Sequence, residues 1–496
     1  MNERFHVAID IGAGSGRMFV GWLMDGRLHL KELHRFETGD MAYRGRRIRD
    51  LYRWYEEIIV GLKKFRTDYG DALESLACDC MGEDFVLLDR SGDILMLPPS
   101  YRSTVVDPEV MRVETERMGN RELFMRCGNQ SVNNDTLRQL IALSIYSPQT
   151  LEAADGMLFL GDLFHYLFCG KRAVGYSLAN YGKLFNQHKQ NWDDDIFDAF
   201  HLPASLKMPI AHFGDKLGSV DQMLCDEIGL SSRPIVISPG IHDSCCAAFC
   251  IPDSDPKWAF ISSGSWSVVG MQTDCAIINE DGWRFNCSNS GMPMDSNMFK
   301  KLVAGMWVIQ RCQKEWQSYS YSEIVELARA AKNDFHYIDP DAAQFYAPES
   351  MCKAISEDIF RRYGDEIAPN DAPRIARICF ESLALKYRYT LDKLQMICAR
   401  SIDKICILGG GSRNTLLNEL SACACQLPVY TGVYEASVTG NLLVQLISCG
   451  EIENEEAAKD ILRHSFTFQR FLPQDGPLWQ QKYADFLRVL QEPVVN

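Results

Sequence analysis

Hydrophobic and polar positions at the start of the chain predict a strand, a glycine loop and a returning strand. Residues 5–11 (FHVAIDI) form a short apolar run, and residues 12–16 (GAGSG) follow it directly. Residues 17–24 alternate between polar and apolar, and Asp25-Gly26 is a strong hairpin signal. A dinucleotide-binding fold requires a helix after such a loop, and a Walker loop requires a Gly-Lys-Ser/Thr ending. The pattern therefore disfavours a Rossmann dehydrogenase.

A similar pattern recurs in the second half of the chain. Residues 258–262 (WAFIS) predict a strand, residues 263–265 (SGS) a tight loop, and residues 266–271 (WSVVGM) a returning strand. Two units of this kind in successive halves suggest an internal duplication. Two related domains that clamp a nucleotide between them are typical of actin-like ATPases.

The remaining pattern alternates helices and strands, which indicates an α/β protein. Helical faces are predicted around residues 51–65, 371–391 and 478–490, and a buried strand at residues 404–408 (KICIL). A chain of 496 residues is too long for one core. We expect two domains, residues 1–252 and residues 253–496.

Composition and charge narrow the class of protein. The formal net charge of -15 argues against a general affinity for nucleic acid or anionic membranes. No stretch reaches the 18 apolar residues of a membrane span, and the first residues lack the architecture of a signal peptide. The 18 cysteines sit largely in apolar runs, which predicts buried thiols rather than disulfides or a metal bound by cysteine. The expected location is the cytoplasm.

Several positions fit the chemistry of phosphoryl transfer, which needs amides and a magnesium ion on the phosphates and a carboxylate to take a proton. Asp10 precedes the first glycine loop and would hold a metal through water. The loops at residues 262–265 and 409–411 would bring further backbone amides to a nucleotide. Asp243 follows a strand and a glycine at the start of a predicted helix, where a general base would be well placed. A plain helix N-cap is the alternative interpretation of Asp243.

Over about residues 5–445 the chain resembles the FGGY family of carbohydrate kinases, and its rhamnulokinase branch in particular. The matching stretches are AIDIGAGSGR (8–17), GEDFVLLDRSGD (82–93) with YR (101–102), IHDSCCA (241–247), ISSGSWSVVG (261–270), GMWVIQ (305–310), LGGGSRNTLLN (408–418) and EASVTGN (435–441). This set in this order is highly specific for the family. The resemblance implies a two-domain, actin-like (ribonuclease H-like) ATPase fold with the active site in the cleft between the domains.

The resemblance also implies roles for individual residues. Asp243 would be the general base, and Asp10 would lie near Mg²⁺ through water. The phosphate loops would contain Gly12, Gly14, Ser15, Gly16 and Arg17 and, in the second domain, Ser263, Gly264 and Ser265. The adenosine side would be lined by Gly409, Gly410, Gly411, Ser412, Asn414, Ala436 and Asn441, and the sugar would be touched by Gly82, Asp84 and His242. The implied ligands are ATP, Mg²⁺ and a small sugar, bound by a monomer or homodimer.

Departures from the rhamnulokinase pattern concentrate where the sugar would lie. The chain has Asp79-Cys80-Met81-Gly82 in place of Asp-Thr-Trp-Gly, and Asn134-Asp135-Thr136 in place of Phe-Asn-Thr. It has residues 175–178 (GYSL) in place of a Glu-Tyr-Thr-Asn-like stretch, and residues 289–292 (NSGM) in place of an Asn-Glu-Gly-Gly-like stretch. L-Rhamnulose is therefore the default substrate. The open alternatives are a kinase for another sugar such as L-fuculose or xylulose, and a catalytically silent sugar-binding regulator of the same fold.

Overall fold

The computed structural model describes residues 4–103, 106–253, 255–292, 296–332 and 335–491. The described residues form two compact units. The first unit draws on residues 1–254, 273–299 and 435–466, and the second on residues 255–272, 300–434 and 467–496. The chain thus returns to the first unit after most of the second has been built.

Short and long strands alternate with helices along the chain. In chain order the strands are β1 Phe5–Ile11, β2 Ser15–Met24, β3 Arg27–Glu37, β4 Asp40–Tyr43, β5 Arg46–Arg49, β6 Leu73–Cys80, β7 Phe85–Leu88, β8 Gly156–Phe159, β9 Val174–Gly175, β10 Phe185–Asn186, β11 Asn191–Trp192, β12 Ile210–Ala211, β13 Lys216–Ser219, β14 Ile235–Ile237, β15 Trp258–Ser263, β16 Trp266–Thr273, β17 Ser288–Gly291, β18 Asn297–Ala304, β19 Lys404–Leu408, β20 Val429–Thr431 and β21 Gln469–Phe471.

The α-helices are α1 Leu51–Tyr69, α2 Pro108–Arg117, α3 Asn120–Cys127, α4 Thr136–Tyr146, α5 Pro148–Glu152, α6 Leu160–Cys169, α7 Tyr176–Tyr181, α8 Asp194–Ala199, α9 Gln222–Ile228, α10 Asp243–Phe249, α11 Glu280–Arg284, α12 Trp307–Trp316, α13 Tyr321–Ala330, α14 Met351–Tyr363, α15 Ala372–Cys398, α16 Thr415–Cys425, α17 Ala436–Ser448, α18 Glu455–Ser465 and α19 Gly476–Val489. Short 3₁₀ turns lie at Ala204–Leu206, Ala343–Phe345 and Gly410–Arg413.

The main sheet of the first unit has the order β13-β14-β6-β1-β2-β3. Its centre is β1, which pairs antiparallel with β2 and parallel with β6. Asp25 and Gly26 both adopt positive φ (52° and 72°), as a tight turn between β2 and β3 requires. The predicted strand–loop–strand at the start of the chain is confirmed.

The second unit repeats this local arrangement. Strand β15 pairs antiparallel with β16 from Ala259 to Ser263, and parallel with β19 from Trp258 to Ser262. Strand β19 pairs in turn with β20 in parallel, and β20 pairs antiparallel with β21. In both units a tight loop joins the central strand to its antiparallel neighbour, and the parallel neighbour comes from later in the chain.

Helices cover the sheets with the apolar faces that the sequence predicts. In α1 the residues Trp54, Ile58, Leu62 and Phe65 are buried in the core of the first unit. In the second unit α15 begins after the N-cap Asp371, whose side chain accepts a hydrogen bond from the Arg374 amide. This 27-residue helix is buried along much of its length and packs against α13 and α16.

Helix α17 carries the chain back to the first unit, where it packs against β1, β6 and α10. Its Gly440 lies so close to α10 that a Cβ there would come within 1.8 Å of the Cys246 carbonyl oxygen. The two helices therefore cross with backbone against backbone, which only a glycine permits at this position.

Most of the cysteines are buried free thiols, as the apolar runs around them predict. Cys275 is exposed, and Cys169, Cys398, Cys423, Cys425 and Cys449 are half-buried. Within the described ranges, no helix combines the length and the apolar character needed to cross a membrane.

Candidate active site

Two carboxylates lie side by side in the sheet of the first unit. Asp10 on β1 and Asp79 on β6 are register partners in the parallel pair of strands, and both side chains are buried. Burial raises the pKa of Asp10, and burial together with the nearby Asp10 charge raises the pKa of Asp79 well above its usual range. Two adjacent carboxylates that are shielded from water favour the binding of a cation between them or close to them.

Arg17 supplies part of the compensating charge. Its guanidinium donates to Asp10 Oδ2 and, at 2.5 Å, to Glu435 Oε2. Ser437 Oγ donates to the same Asp10 oxygen at 2.5 Å. Burial acts to lower the pKa of Arg17, but the Asp10 and Glu435 charges raise it overall, so the guanidinium stays charged.

The first glycine loop divides into an open part and a packed part. The Gly12 amide donates to the Ser15 carbonyl at 3.1 Å, which closes the turn. A Cβ on Gly14 would meet no atom within 4 Å, whereas a Cβ on Gly16 would lie 2.2 Å from the ring of Phe36. Gly16 is thus required by packing within the sheet, and residues 12–15 form the part that is open to a ligand.

Asp243 is the first residue of α10, and the N-cap position belongs to His242. Asp243 Oδ1 accepts from the Ser244 amide at 2.6 Å and lies 2.8 Å from His242 Nδ1. Its side chain keeps 34% of its surface exposed, in contrast to the buried Asp10 and Asp79. Asp243 is thus more accessible to solvent than Asp10 and Asp79, and the Ser244 amide fixes one of its oxygens.

Gly82 brings the end of β6 close to His242. The Cys80 amide donates to the Ile241 carbonyl at 2.6 Å, which ties the two segments together. A Cβ on Gly82 would lie 2.9 Å from the Tyr181 ring and 3.4 Å from His242 Nε2. The Tyr181 and His242 rings meet edge to face, with centroids 5.0 Å apart. These side chains form a compact polar and aromatic wall.

Asp84 is fully buried and faces a buried arginine. Arg49 Nε donates to Asp84 Oδ2 at 2.7 Å, and Arg49 Nη1 donates to Asp40 Oδ1 at 2.7 Å. Arg49 Nη2 also contacts the Met81 sulfur at 3.3 Å. Burial raises the pKa of Asp84 to about 6, although Arg49 opposes the shift. Asp84 thus forms a buried ion pair with Arg49, and its contact with the sugar stays a prediction.

The loops predicted in the second unit pack against each other. The Gly264 carbonyl accepts from the Met306 amide at 2.8 Å, and the Ser265 carbonyl accepts from the Gly305 amide at 3.1 Å. A Cβ on Gly411 would lie 2.2 Å from Ser263 Oγ, which fixes the distance between the two loops.

Two side chains of the loop after β19 form hydrogen bonds with nearby main-chain groups. Ser412 is buried, and its Oγ donates to the Gly409 carbonyl at 2.6 Å. Asn414 caps α16, since its Oδ1 accepts from the Leu417 amide at 3.0 Å. A Cβ on Gly410 would meet no atom within 4 Å, so this residue is the open point of the loop.

Ala436 and Asn441, assigned to the adenosine side by the resemblance, lie on α17 in the first unit. The Ala436 carbonyl accepts from the Cys250 thiol at 3.0 Å. The Asn441 side chain is buried, and its Nδ2 donates to Asp79 Oδ2 at 2.7 Å. The Asn441 amide is therefore directed at the carboxylate pair.

Most residues that depart from the rhamnulokinase pattern fill buried positions, and Asn134 is half-buried. Asn134 Nδ2 donates to the carbonyls of Tyr101 and Ser103 at 2.6 and 2.8 Å. Lys183 Nζ donates to Asp135 Oδ2 at 2.6 Å, and both side chains are buried. Cys80, Met81, Gly175, Leu178 and Ser290 are also buried.

A cavity of about 660 Å³ lies in the first unit. Its walls include Tyr176 and Met292, which belong to stretches that depart from the pattern, and His212, whose ring stacks on Tyr176 at 5.7 Å. None of the residues predicted to touch the sugar lines this cavity. Asp10, Asp79 and Asp243 do not line it either.

The predicted site residues are divided between the two units. The first unit contains Asp10, Gly12, Gly14, Ser15, Gly16, Arg17, Gly82, Asp84, His242, Asp243, Ala436 and Asn441. The second unit contains Ser263, Gly264, Ser265, Gly409, Gly410, Gly411, Ser412 and Asn414.

Sequence reasoning did not assign Asp79, Ser437 or Gln445 to the site. Asp79 ends a buried strand just as Asp10 does, and that shared position was the available signal. Ser437, Asn441 and Gln445 recur every four residues on an otherwise apolar helix, which marks one polar stripe. Nothing in the local pattern indicates that this stripe faces β1 and β6.

Both halves of the chain match one family of known proteins. Residues 5–250 match the N-terminal domain and residues 259–449 the C-terminal domain of the FGGY family of carbohydrate kinases. The chain is 33% identical to a rhamnulokinase from Bacteroides thetaiotaomicron over 488 residues, which cover 98% of this chain and 99% of that one. It is 30% identical to a rhamnulokinase from Oceanobacillus iheyensis over 466 residues, with coverage of 94% and 97%.

The fold is also that of solved sugar kinases. A gluconate kinase from Lactobacillus acidophilus superposes with a TM-score of 0.84 at 11% identity, covering 99% of this chain and 98% of that one. At this identity the likeness concerns the fold, which is the two-domain α/β fold of the actin-like ATPases. With both domains matched and the rhamnulokinases similar over nearly their full length, the chain belongs to the FGGY family of carbohydrate kinases and is an ATP-dependent sugar kinase.

Proposed function

We propose that this kinase transfers the γ-phosphate of ATP to the primary hydroxyl of a ketose, with L-rhamnulose as the default substrate and Asp243 as the general base. The observation that carries the proposal is the position of Asp243. Its carboxylate is partly exposed at the start of α10, is held by the Ser244 amide, and belongs to the same unit as Asp10 and Asp79.

In the proposed reaction Asp243 takes the proton of the sugar hydroxyl as its oxygen attacks the γ-phosphorus. The bond between that phosphorus and the bridging oxygen of ADP breaks, and ADP leaves with the electron pair. His242 Nδ1, when protonated, donates to Asp243 Oδ1 at 2.8 Å and so helps to orient the carboxylate that takes the proton. His242 Nε2 points towards Gly82, where a sugar hydroxyl would find a partner.

The carboxylates also fit the magnesium ion that kinases of this kind use with ATP. Asp79 Oδ1 is buried and has no hydrogen-bond partner among the described residues, and Asp10 lies beside it in register. Asp10 and Asp79 would hold Mg²⁺ through its water ligands, because the ion keeps several waters and takes the rest of its ligands from phosphates. When bound, Mg²⁺ would neutralise charge on the transferring phosphoryl group.

L-Rhamnulose is the default because the relatives from Bacteroides thetaiotaomicron and Oceanobacillus iheyensis are rhamnulokinases. The buried substitutions near Gly82 make other ketoses a necessary part of any test. A hydrogen bond gained or lost in such a wall changes substrate preference strongly. L-Fuculose and xylulose are the first alternatives to compare.

The test is sugar-dependent ADP release with Mg²⁺ and ATP across a panel of ketoses, aldoses and polyols. We expect L-rhamnulose to give the highest kcat/KM and Asp243→Asn to lower kcat by about 10²–10⁴-fold while ATP binding persists. Asp194→Asn is the matched control, because Asp194 is also the first residue of a short helix in the same unit. Asp243→Asn with undiminished kcat would refute the base, and a panel without any active sugar would favour the silent regulator.

A further inference from the structure

A buried chain of hydrogen bonds leads from the edge of the first unit to Asp79. We call it the His6 relay. It runs from Glu451 Oε1 to His6 Nε2 (2.8 Å), from His6 Nδ1 to Ser75 Oγ (2.7 Å), from Ser75 Oγ to Gln445 Oε1 (2.6 Å), from Gln445 Nε2 to Asn441 Oδ1 (2.7 Å) and from Asn441 Nδ2 to Asp79 Oδ2 (2.7 Å). All of its members except Glu451 are buried.

Main-chain carbonyls fix the direction of the two amides. Asn441 Nδ2 donates to the Ala77 carbonyl at 3.3 Å as well as to Asp79, so Asn441 Oδ1 must accept. Gln445 Nε2 donates to the Val7 carbonyl at 3.1 Å as well as to Asn441, so Gln445 Oε1 must accept. A flipped amide would place its oxygen against a carbonyl that can only accept.

The same logic determines the protons further along the relay. Ser75 has one hydroxyl proton, which it donates to Gln445 Oε1, and its oxygen therefore accepts from His6 Nδ1. His6 Nε2 faces the Glu451 carboxylate at 2.8 Å, and this contact is satisfied when Nε2 also carries a proton. With protons on both nitrogens, His6 is an imidazolium ion paired with Glu451.

The surroundings of His6 are consistent with this charge. Burial acts to lower the pKa of His6, but its hydrogen bonds to the side chains of Cys449 and Glu451 and the charge of Glu451 raise the pKa overall. Ser75 on β6 and Gln445 on α17 are the next side chains along the relay, and neither carries a charge.

We propose that the His6–Glu451 ion pair anchors the outer end of the relay and thereby helps to hold the Asp79 carboxylate in place, which makes His6 and Glu451 positioning residues for phosphoryl transfer. This inference rests on the function proposed above. Asn441 donates to Asp79 Oδ2, and Asp79 Oδ1 has no hydrogen-bond partner among the described residues. If His6 lost a proton, either Nε2 would face the Glu451 carboxylate or Nδ1 would face the Ser75 oxygen with no hydrogen between them, and the constraint on Asp79 would loosen.

The first test observes the relay without any substrate. In protein with ¹⁵N-labelled histidine, we expect both ring nitrogens of His6 to carry protons at pH 7.5 and to titrate above the ordinary histidine range. Assignment uses the loss of the His6 signals in His6→Asn. An unprotonated Nδ1 or Nε2 at pH 7.5 would overturn the inference, whether or not the protein phosphorylates a sugar.

The second test measures kcat as a function of pH, because a merely structural role for His6 would leave the shape of this profile unchanged. The wild type should lose kcat on the alkaline side as His6 deprotonates, and Glu451→Gln should move that limb to lower pH. His6→Asn should lower kcat by about 10–100-fold, with the KM for the sugar changed by less than about twofold because Asp79 does not contact the hydroxyl. An alkaline limb that Glu451→Gln leaves unmoved would contradict the proposal.

A second histidine–glutamate pair in the same unit provides the matched control. His34 Nε2 lies 2.6 Å from Glu57 Oε2, between β3 and α1. It joins no chain that leads to Asp10 or Asp79 in the described structure. His34→Asn and Glu57→Gln should therefore leave kcat and its pH limb within about twofold of the wild type, and an equal effect in this pair would refute the relay.

Discussion

Individual residues near the proposed site are held by burial as much as by charge. Glu83 adopts a left-handed backbone conformation (φ 77°) between Gly82 and Asp84, and its carboxylate accepts from the Thr136 amide at 3.2 Å. Burial, reinforced by the neighbouring Asp135 carboxylate, raises the pKa of Glu83 to about 8 although Lys183 opposes the shift. The folded protein thus binds a proton here more tightly than the unfolded chain does.

This shift predicts a pH dependence of stability. For an acid whose pKa is raised in the folded state, the stability contribution is complete below the unfolded pKa and is lost as pH rises through the folded pKa. Glu83→Gln removes the ionisation. We expect it to match the wild type near pH 4.5 and to raise the apparent Tm by about 2–6 °C at pH 9, measured by calorimetry.

The exposed Glu116 is the control for Glu83, because its carboxylate lies on the surface of α2. The difference in apparent Tm between Glu116→Gln and the wild type should not increase between pH 5 and pH 9. If Glu83→Gln instead loses stability at pH 9, the ionised carboxylate stabilises the folded protein and burial does not raise the pKa of Glu83.

Among elements, α17 has the greatest influence on the site. Ser437, Asn441 and Gln445 lie four residues apart, and each donates a hydrogen bond into the sheet below. The height of the helix above the sheet depends on its crossing with α10 at Gly440. A polar stripe on a helix can align carboxylates only if the helix is held at a fixed distance.

Gly440→Ala should displace α17. The added Cβ would lie 1.8 Å from the Cys246 carbonyl oxygen, and backbone cannot yield as a side chain can. We expect a loss of about 1–3 kcal/mol in the free energy of unfolding and a fall in kcat, measured by urea denaturation and ADP release. Gly39→Ala is the control, since a Cβ there meets no atom within 4 Å.

If Gly440→Ala keeps the kcat and the stability of the wild type, close crossing is not what positions α17. A loss of stability without any change in kcat would show that the crossing supports the fold but not the carboxylates. Either outcome would remove the argument that helix height controls the site.

Elements with strong local patterns were predictable from the sequence. The strands Phe5–Ile11 and Lys404–Leu408 match the predicted ranges, and α15 begins after the predicted Asp371. Short-range signals fix such elements, because hairpin turns and helix caps act within a few residues.

The proposed site was less accessible to sequence reasoning. Asp10 and Asp243 could be singled out from local patterns, because Asp10 lies near the end of a strand and Asp243 opens a helix. The hydrogen bond from Asn441 to Asp79 could not be predicted, because the two residues lie 362 positions apart in the chain. Contacts of such sequence separation leave no local periodicity, and the domain boundary near residue 252 and the individual site roles stay predictions.

At the scale of the whole molecule, the first unit depends on a segment that the chain supplies late. Residues 435–466 contribute α17 and α18 to a unit that otherwise begins at the N-terminus. Without α17, the polar groups of Asp10, Ser75 and Asp79 on the sheet would lack their partners Ser437, Gln445 and Asn441. Buried polar groups without partners are strongly destabilising.

Two truncated chains test this dependence. A chain that ends at residue 434 lacks α17 and should show no cooperative unfolding of the first unit. A chain that ends at residue 466 keeps α17 and α18, and should retain that transition although residues 467–491 of the second unit are missing. Calorimetry of both chains gives the answer, and a cooperative first unit in the shorter chain would contradict the prediction.

The late return of α17 also has a consequence for synthesis on the ribosome. Val7 meets Gln445 across a separation of 438 residues. At a synthesis rate of about 5–20 residues per second, roughly 20–90 s pass between the synthesis of β1 and that of α17. During that interval the nascent chain presents an apolar sheet with an uncovered polar centre, so slower translation would lengthen its dependence on chaperones.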